Sequence, residues 1–308
     1  MTRFRPMWVF FVLALLAAGP LSVFHSLAQT PRPTDFPSIT LGLVSAVHQR
    51  EIAARFQPFS EYVARRIFPD KNATGGVLVA STLPELAKLL GEKKVDFFIE
   101  SPFPTYVINH VHDAGAVLLR RWKGGKSEYR SLIAAQKDAG IDRLQDLRGK
   151  IIAFEDPEST SGYFLPKLFL QRSGFKLVEA AGPSAAVAQT EVGYVFAKDQ
   201  QTLIEWILGK RVAAGALSDD DYESLEETRK NRLNVLAQTE LLPRHLVSVR
   251  KDLPAEMTER LNRVLRAMHE NPEGQKILAQ TDGTTKFDSL PGGEEAMRRR
   301  LLDTFQRR

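Results

Sequence analysis

The sequence predicts an α/β chain of two lobes, and three observations predict it. Short apolar, β-branched runs alternate with segments whose apolar residues recur at helical spacing. That rhythm restarts in the middle of the chain, and two α/β units of about a hundred residues fit two lobes better than one sheet. With 43% hydrophobic and 26% charged residues over 308 positions, the chain can bury real cores, and disorder as the dominant state is excluded.

Taken in order, residues 39–45 read as a short apolar strand ending in small polar residues. Ile52, Phe56, Phe59, Val63 and Ile67 then mark one face of a helix, with Pro58 kinking or restarting it. Residues 77–80 form a second strand, and Ser81-Thr82 cap a helix that Gly91 closes. Residues 95–99 and 116–119 complete a first set of strands, and the strand–helix alternation implies a parallel sheet. The second set has strands at 129–136, 151–154, 192–196 and 212–216, with helices at 144–147, 164–171 and 199–208. Asp199 caps the last of these helices and Gly209 stops it. A final strand at 246–249 and helices at 255–269 and 294–305 end the chain.

The N-terminus reads as an address. Arg3 and Arg5 precede an apolar run over 7–18, and Ser26-Leu27-Ala28 places small residues where a signal peptidase cuts. Residues 1–28 are therefore assigned as a signal peptide cleaved after Ala28. An uncut membrane anchor fits less well, because a spanning helix needs about 20 residues and Gly19-Pro20 interrupts this one. Residues 29–38, with Pro31, Pro33 and Pro37, read as an extended tether. The mature protein is expected to be free in a periplasm-like compartment.

Zero cysteines remove disulfide scaffolds, thiol nucleophiles, thiolate zinc sites and iron–sulfur clusters together. The formal charge of +5 falls to +3 once Arg3 and Arg5 leave, and the last eleven residues alone carry +4. A nucleic-acid binder needs a basic stripe across its folded body, so nucleic acid is not an expected partner.

Asp156-Pro157-Glu158-Ser159-Thr160-Ser161-Gly162 carries the most information. It follows a buried strand and opens a helix, where unpaired N–H groups and the dipole favour an anion. Capping alone explains one hydroxyl residue there, since Ser and Thr are preferred N-caps. Three in a row before Gly162 exceed what a cap needs. Other features read as ordinary. Gly124-Gly125-Lys126-Ser127 imitates the end of a phosphate-binding loop, but the motif's first glycine falls on Arg120. His110 and His112 face different sides of a helix and have no third ligand nearby, so no metal site is expected. Ser161 lacks a G-x-S-x-G elbow. Trp122 and Trp206 read as packing, and Asp219, Asp220 and Asp221 as a solvated turn.

The run FEDPESTSGYFLPKLFL resembles the signature of PhnD-like periplasmic binding proteins for phosphonate, phosphite and phosphate. The resemblance continues through LGLV, KVDFFIESPFPTYV, EYRSLIAA, GKRVAAGALSDDDY, HLVSVRKDLP and NPEGQKILAQTDGTTKFDSLP, and covers about 39–291. It implies a type II periplasmic binding protein with two α/β lobes and a hinge of two crossover segments. Residues 39–127 plus 246–308 would form lobe 1 and 128–245 lobe 2, with crossovers near 128–130 and 245–249. Ligand would bind between the lobes, which close over it. Strand carboxyl ends line such a cleft, and that rule separately nominates Ser45, Ser81, Thr82, Glu100, Ser101, Ser159, Thr160, Ser161, Lys198, Asp199 and Ser218.

By the resemblance, Ser159, Thr160 and Ser161, with Gly162, would grip a tetrahedral anion. The chain departs from the best-known phosphonate binders elsewhere. Leu83 (after Ser81-Thr82) and Glu100 stand where those have tyrosines, Lys198-Asp199 where they have a histidine, and His245 where they have an acid. Glu100 would repel a dianion unless Lys198 or His245 offset it, so a ligand carrying a cation, or one that is not a phosphonate, stays open. The expectation is a monomeric, cofactor-free solute receptor. It would capture a small oxyanion and present the closed form to an inner-membrane ABC permease. Alternatives are a sensor serving a membrane histidine kinase and an enzyme on the same scaffold.

Overall fold

The computed structural model describes residues 37–306, so the signal peptide, its cleavage site and most of the tether lie outside the described residues. The first strand, β1 (Ser38–Val44), starts one residue earlier than expected, at a serine assigned above to the tether. Helix α1 (Gln49–Ile67) runs without a break through Pro58, and the expected stripe of Phe56, Phe59, Val63 and Ile67 is buried. Next come β2 (Thr74–Ala80), α2 (Leu83–Gly91), β3 (Phe97–Glu100), α3 (Pro102–Tyr106) with a following π-turn, and β4 (Gly115–Lys123). The second set holds β5 (Glu128–Tyr129), β6 (Ser131–Gln136), β7 (Ile151–Phe154), α4 (Leu165–Arg172), β8 (Lys176–Glu179), β9 (Glu191–Phe196), α5 (Gln200–Leu208), β10 (Ala214–Ser218), α6 (Asp219–Glu223), α7 (Glu227–Lys230) and β11 (Leu233–Gln238). The chain ends with β12 (Leu242–Pro243), β13 (His245–Arg250), α8 (Ala255–Ala267), α9 (Pro272–Gln280), β14 (Thr284–Asp288) and α10 (Gly293–Gln306).

The strands form two six-stranded sheets, ordered β14-β4-β13-β3-β1-β2 and β11-β6-β10-β7-β9-β8. Parallel pairing holds where helices cross over, in β2-β1-β3 and in β8-β9-β7-β10. The wholly parallel sheet expected from the strand–helix rhythm is corrected for β13 and β6, which are antiparallel to both neighbours. Each of these strands enters its sheet directly from a connection between the two lobes. It therefore starts at the end where its two neighbours finish.

The two connections pair with each other, Leu242 opposite Tyr129 and Pro243 opposite Glu128, as a short antiparallel ribbon. The return connection thus lies just before His245, not over 245–249, because β13 is already an interior strand hydrogen-bonded to β3 and β4.

Both sheets carry helices on both faces. In the first, α1 and α8 cover one side with Phe59, Val63, Leu261 and Leu265, and α2 covers the other with Leu86 and Leu90. In the second, α5 buries Leu203, Ile204 and Ile207 on one side, while Leu170 of α4 packs on the other. Gly75 of β2 shows how closely α1 approaches: a Cβ there would lie 2.2 Å from the backbone carbon and oxygen of Ser60. Helix α10 reaches both lobes. Its Met297 and Leu301 pack with Val117 and Leu246, Arg172 of α4 donates to the Thr304 carbonyl, and Arg300 bonds Glu128 and the Leu241 carbonyl of the ribbon region.

Candidate ligand-binding site

The site is built where β7 ends. Glu155 follows the strand, and after the Asp156–Ser159 loop the chain forms a π-turn over Thr160–Phe164 that feeds α4. The N–H of Phe164 donates to the Ser159 carbonyl, five residues back, which widens the turn. Ser159 Oγ accepts from the Gly162 N–H at 2.9 Å and donates to Glu155 Oε2 at 2.9 Å. Gly162 has to be glycine in this arrangement, since a Cβ would meet the Glu155 side chain at 2.5 Å and Ser159 Oγ at 2.8 Å. The Ser161 carbonyl accepts from Ser131 Oγ at 2.6 Å, tying the turn to β6.

Thr160 joins the lobes. Its hydroxyl lies 2.9 Å from Ser101 Oγ and accepts from the Phe103 N–H at 2.9 Å. One turn on, Phe164 stacks on Phe103 with ring planes 18° apart. The Glu158 carboxylate lies towards the backbone N–H of Leu83, at the start of α2, which lowers its pKa against the rise from burial.

The other nominated residues divide into two groups. Glu100 lies beside this junction, its Oε1 accepting from the Val44 N–H at 2.8 Å. Desolvation raises its pKa to about 8, against hydrogen bonds from the backbone of Val44 and Ser101, and Glu158 adds to the rise. The nearby cation that pulls it down is Arg121, which itself pairs with Asp282. His245 is kept neutral by burial and by the neighbouring Arg121, Arg244 and Lys123, and its Nδ1 is buried without a partner.

The second group is occupied locally. Ser45 Oγ donates to the Val47 carbonyl, and Ser81 Oγ accepts from Gln49. Thr82 and Asp199 cap α2 and α5, as the sequence suggests, and Asp199 also accepts from the Thr202 hydroxyl. Lys198 is exposed, with φ of 75°. Ser218 is buried and spends its hydroxyl on Asp221, accepting from the N–H at 3.0 Å and donating to Oδ2 at 2.6 Å.

Sequence reasoning missed four residues at this junction. Tyr129 of the ribbon is fully buried, and the hydroxyls of Thr160 and Ser161 face its phenol oxygen. The Arg244 guanidinium lies over the Tyr129 ring, 4.5 Å from its centroid, and donates from Nε to Asp220 Oδ2 at 2.6 Å. Burial raises Glu155 to about 7, partly relieved by the Ser159 hydroxyl, with Asp156 and Asp221 pushing it further up and Arg244 pulling it down. Arg121 is buried on a ledge of acceptors: Thr284 Oγ1, the Thr281 and Asp282 carbonyls, and the Asp282 carboxylate. The one available signal was Arg244 itself, next to the nominated His245. Among the described residues no cluster of three His, Asp or Glu side chains could hold a metal ion, and no helix is long and apolar enough to cross a membrane.

Solved structures share this architecture. XAC2383 from Xanthomonas citri, solved bound to ATP, superposes with a TM-score of 0.80 at 23% identity, covering 87% of this chain and 97% of that one. A binding protein component of an ABC phosphonate transporter from Pseudomonas aeruginosa gives 0.63 at 20% identity, covering 88% and 87%. PhnD1 from Prochlorococcus marinus, in complex with methylphosphonate, gives 0.61 at 16%, covering 86% and 98%. These establish the type II periplasmic binding protein fold. The phosphate-import protein PhnD of Mycolicibacterium smegmatis is 29% identical over 176 residues, 54% of this chain and 52% of that one, so the chain spans about half the length of this curated relative. A family model for the phosphonate ABC transporter periplasmic substrate-binding protein matches residues 41–290, and the chain belongs to that family.

Proposed function

We propose that this protein is the periplasmic receptor of an ABC transporter and captures a small oxyanion of the phosphonate, phosphite or phosphate type between its lobes. The observation that carries the reading is the position of Thr160. The hydroxyl-rich turn nominated for the anion is the element that meets Ser101 and Phe103 of the other lobe. A ligand seated on that turn touches both lobes at once and favours the closed state over the open one.

The reading includes cleavage after Ala28, release into the periplasm, action as a monomer, and delivery to an inner-membrane permease. It also takes 39–127 with 246–308 as one lobe and 128–245 as the other, with the ribbon of Tyr129 and Leu242 as the hinge. Glu100 and Glu155 narrow the ligand. Two carboxyls beside the turn favour a ligand that brings its own proton or a cationic group along with the oxyanion.

The test is a thermal-shift and calorimetric screen of protein unfolded and refolded to strip carried ligand. The panel holds phosphate, phosphite, methyl- and aminoalkylphosphonates, sulfonates and carboxylates. A ligand at about a hundred times its Kd adds roughly 2.7 kcal/mol of stability. A response confined to phosphorus oxyanions is expected. A response only to sulfonates or carboxylates overturns the ligand class, and silence throughout overturns oxyanion capture.

A further inference from the structure

Two arginines are buried near the junction of the lobes, and their surroundings differ. Arg121, 2% exposed, directs its guanidinium at Thr284, two carbonyls and Asp282, so its donors serve the first lobe. Arg244, 9% exposed, is held at one edge only. Its Nε donates to Asp220, its plane lies over Tyr129, and among the described residues neither terminal nitrogen donates a hydrogen bond. Those nitrogens are not among the sealed, unpaired atoms of the protein, so they open onto accessible space. Among the described residues, Asp220 is the carboxylate that pairs with the guanidinium.

Guanidinium donors that the protein leaves unused and that open onto accessible space are available to an incoming acceptor, which must displace only water. The posture of Arg244 is fixed before any ligand arrives, because Asp220 sets one edge and Tyr129 sets the plane. The Tyr129 phenol oxygen in turn faces the Thr160 and Ser161 hydroxyls. A planar fork beside hydroxyl donors suits two oxygens of one phosphonate, phosphate or carboxylate group.

We propose that Arg244 is the fixed positive charge of the ligand site and that its terminal nitrogens receive the ligand's oxyanion. This rests on the oxyanion-capture reading above and adds to it a specificity-determining residue. With Arg244 engaged, the neutral hydroxyls of the turn orient the anion while the guanidinium supplies the attraction. Glu155 and Asp221 are electrostatic neighbours of that charge and disfavour ligands bearing a second anionic group.

The experiment is calorimetry with methylphosphonate and inorganic phosphate on wild type, Arg244→Gln and Arg244→Lys, with a melting curve for each protein. Arg244→Gln is expected to weaken binding about 10- to 100-fold. Arg244→Lys keeps a cation for Asp220, loses the fork, and is expected to fall in between. Unchanged affinity in a folded variant overturns the role of Arg244 and leaves oxyanion capture standing. No binding of either anion by wild type overturns both. If neither variant folds, a crystal structure of wild type with methylphosphonate decides. An oxygen within hydrogen-bonding distance of a terminal nitrogen supports the assignment, and both nitrogens lying beyond about 4 Å overturn it.

Discussion

The hydroxyls of Ser101 and Thr160 lie 2.9 Å apart although one follows β3 of the first sheet and the other follows β7 of the second. The contact couples the two lobes through the same turn that is proposed to hold ligand. Replacing Thr160 with valine preserves shape, removes the oxygen, and leaves the Phe103 N–H without its acceptor. That loss costs about 1–3 kcal/mol. The expected result is a more open ligand-free protein with a larger radius of gyration by small-angle X-ray scattering.

Phe103→Ala tests the same junction through its apolar half. The ring stacks on Phe164 and meets Phe305 of α10 edge-on, 5.4 Å away. Removing it should also expand the ligand-free protein and weaken ligand binding, since less of the population is closed. A scattering curve identical to wild type would show that these rings do not hold the lobes together.

Replacing Ser159, Thr160 and Ser161 together with alanine should abolish oxyanion binding while the fold persists, as judged by circular dichroism. Retained affinity in that protein would sink the anion site on the π-turn.

Glu100 sets a pH dependence. Its folded pKa of about 8 lies above the ordinary carboxyl value of 4.5, so between these values the native state holds a proton that the unfolded chain has lost. Stability therefore falls as pH rises from about 4.5 to about 8, and Glu155, raised to about 7, acts in the same direction. Glu100→Gln mimics the protonated carboxyl and should flatten the decline. Its melting temperature relative to wild type should gain at least roughly 2 °C between pH 5 and pH 8, about what 1 kcal/mol moves in a chain of this size. A constant difference across that range would show that Glu100 titrates normally.

Gly75→Ala should destabilise the first lobe by about 1–3 kcal/mol or more, because the added carbon meets the backbone of α1 at Ser60, which cannot swing aside as a side chain could. Denaturant unfolding measures it.

What the sequence disclosed follows from burial. The interior strands and amphipathic helices leave apolar runs, and Thr82, Asp199 and Gly209 mark helix ends by local chemistry. Strands β8, β11 and β14 escaped notice because all three are sheet edges and largely half-exposed, and β14, Thr284–Asp288, is also mostly polar. The turn at Ser159–Gly162 was legible since three hydroxyls beside a glycine are a local pattern. Arg244 and Tyr129 were not, because arginine usually belongs on a surface and only the folded ribbon sets one over the other. Glu100 was visible as an oddity, but the nearby Arg121 becomes its neighbour only when β13 brings β3 and β4 together.

That insertion has a bearing on the order in which the chain is made. Strand β13 lies between β3 and β4, so the first sheet has a gap at its centre until residues 245–250 arrive. The second sheet is drawn from one unbroken stretch and can assemble on its own. A chain emerging N-terminus first therefore completes its second lobe before its first. Until then β3 and β4 carry bare edges open to pairing with other chains. Late delivery of the central strand exposes the first half of the protein to aggregation if synthesis stops short of β13.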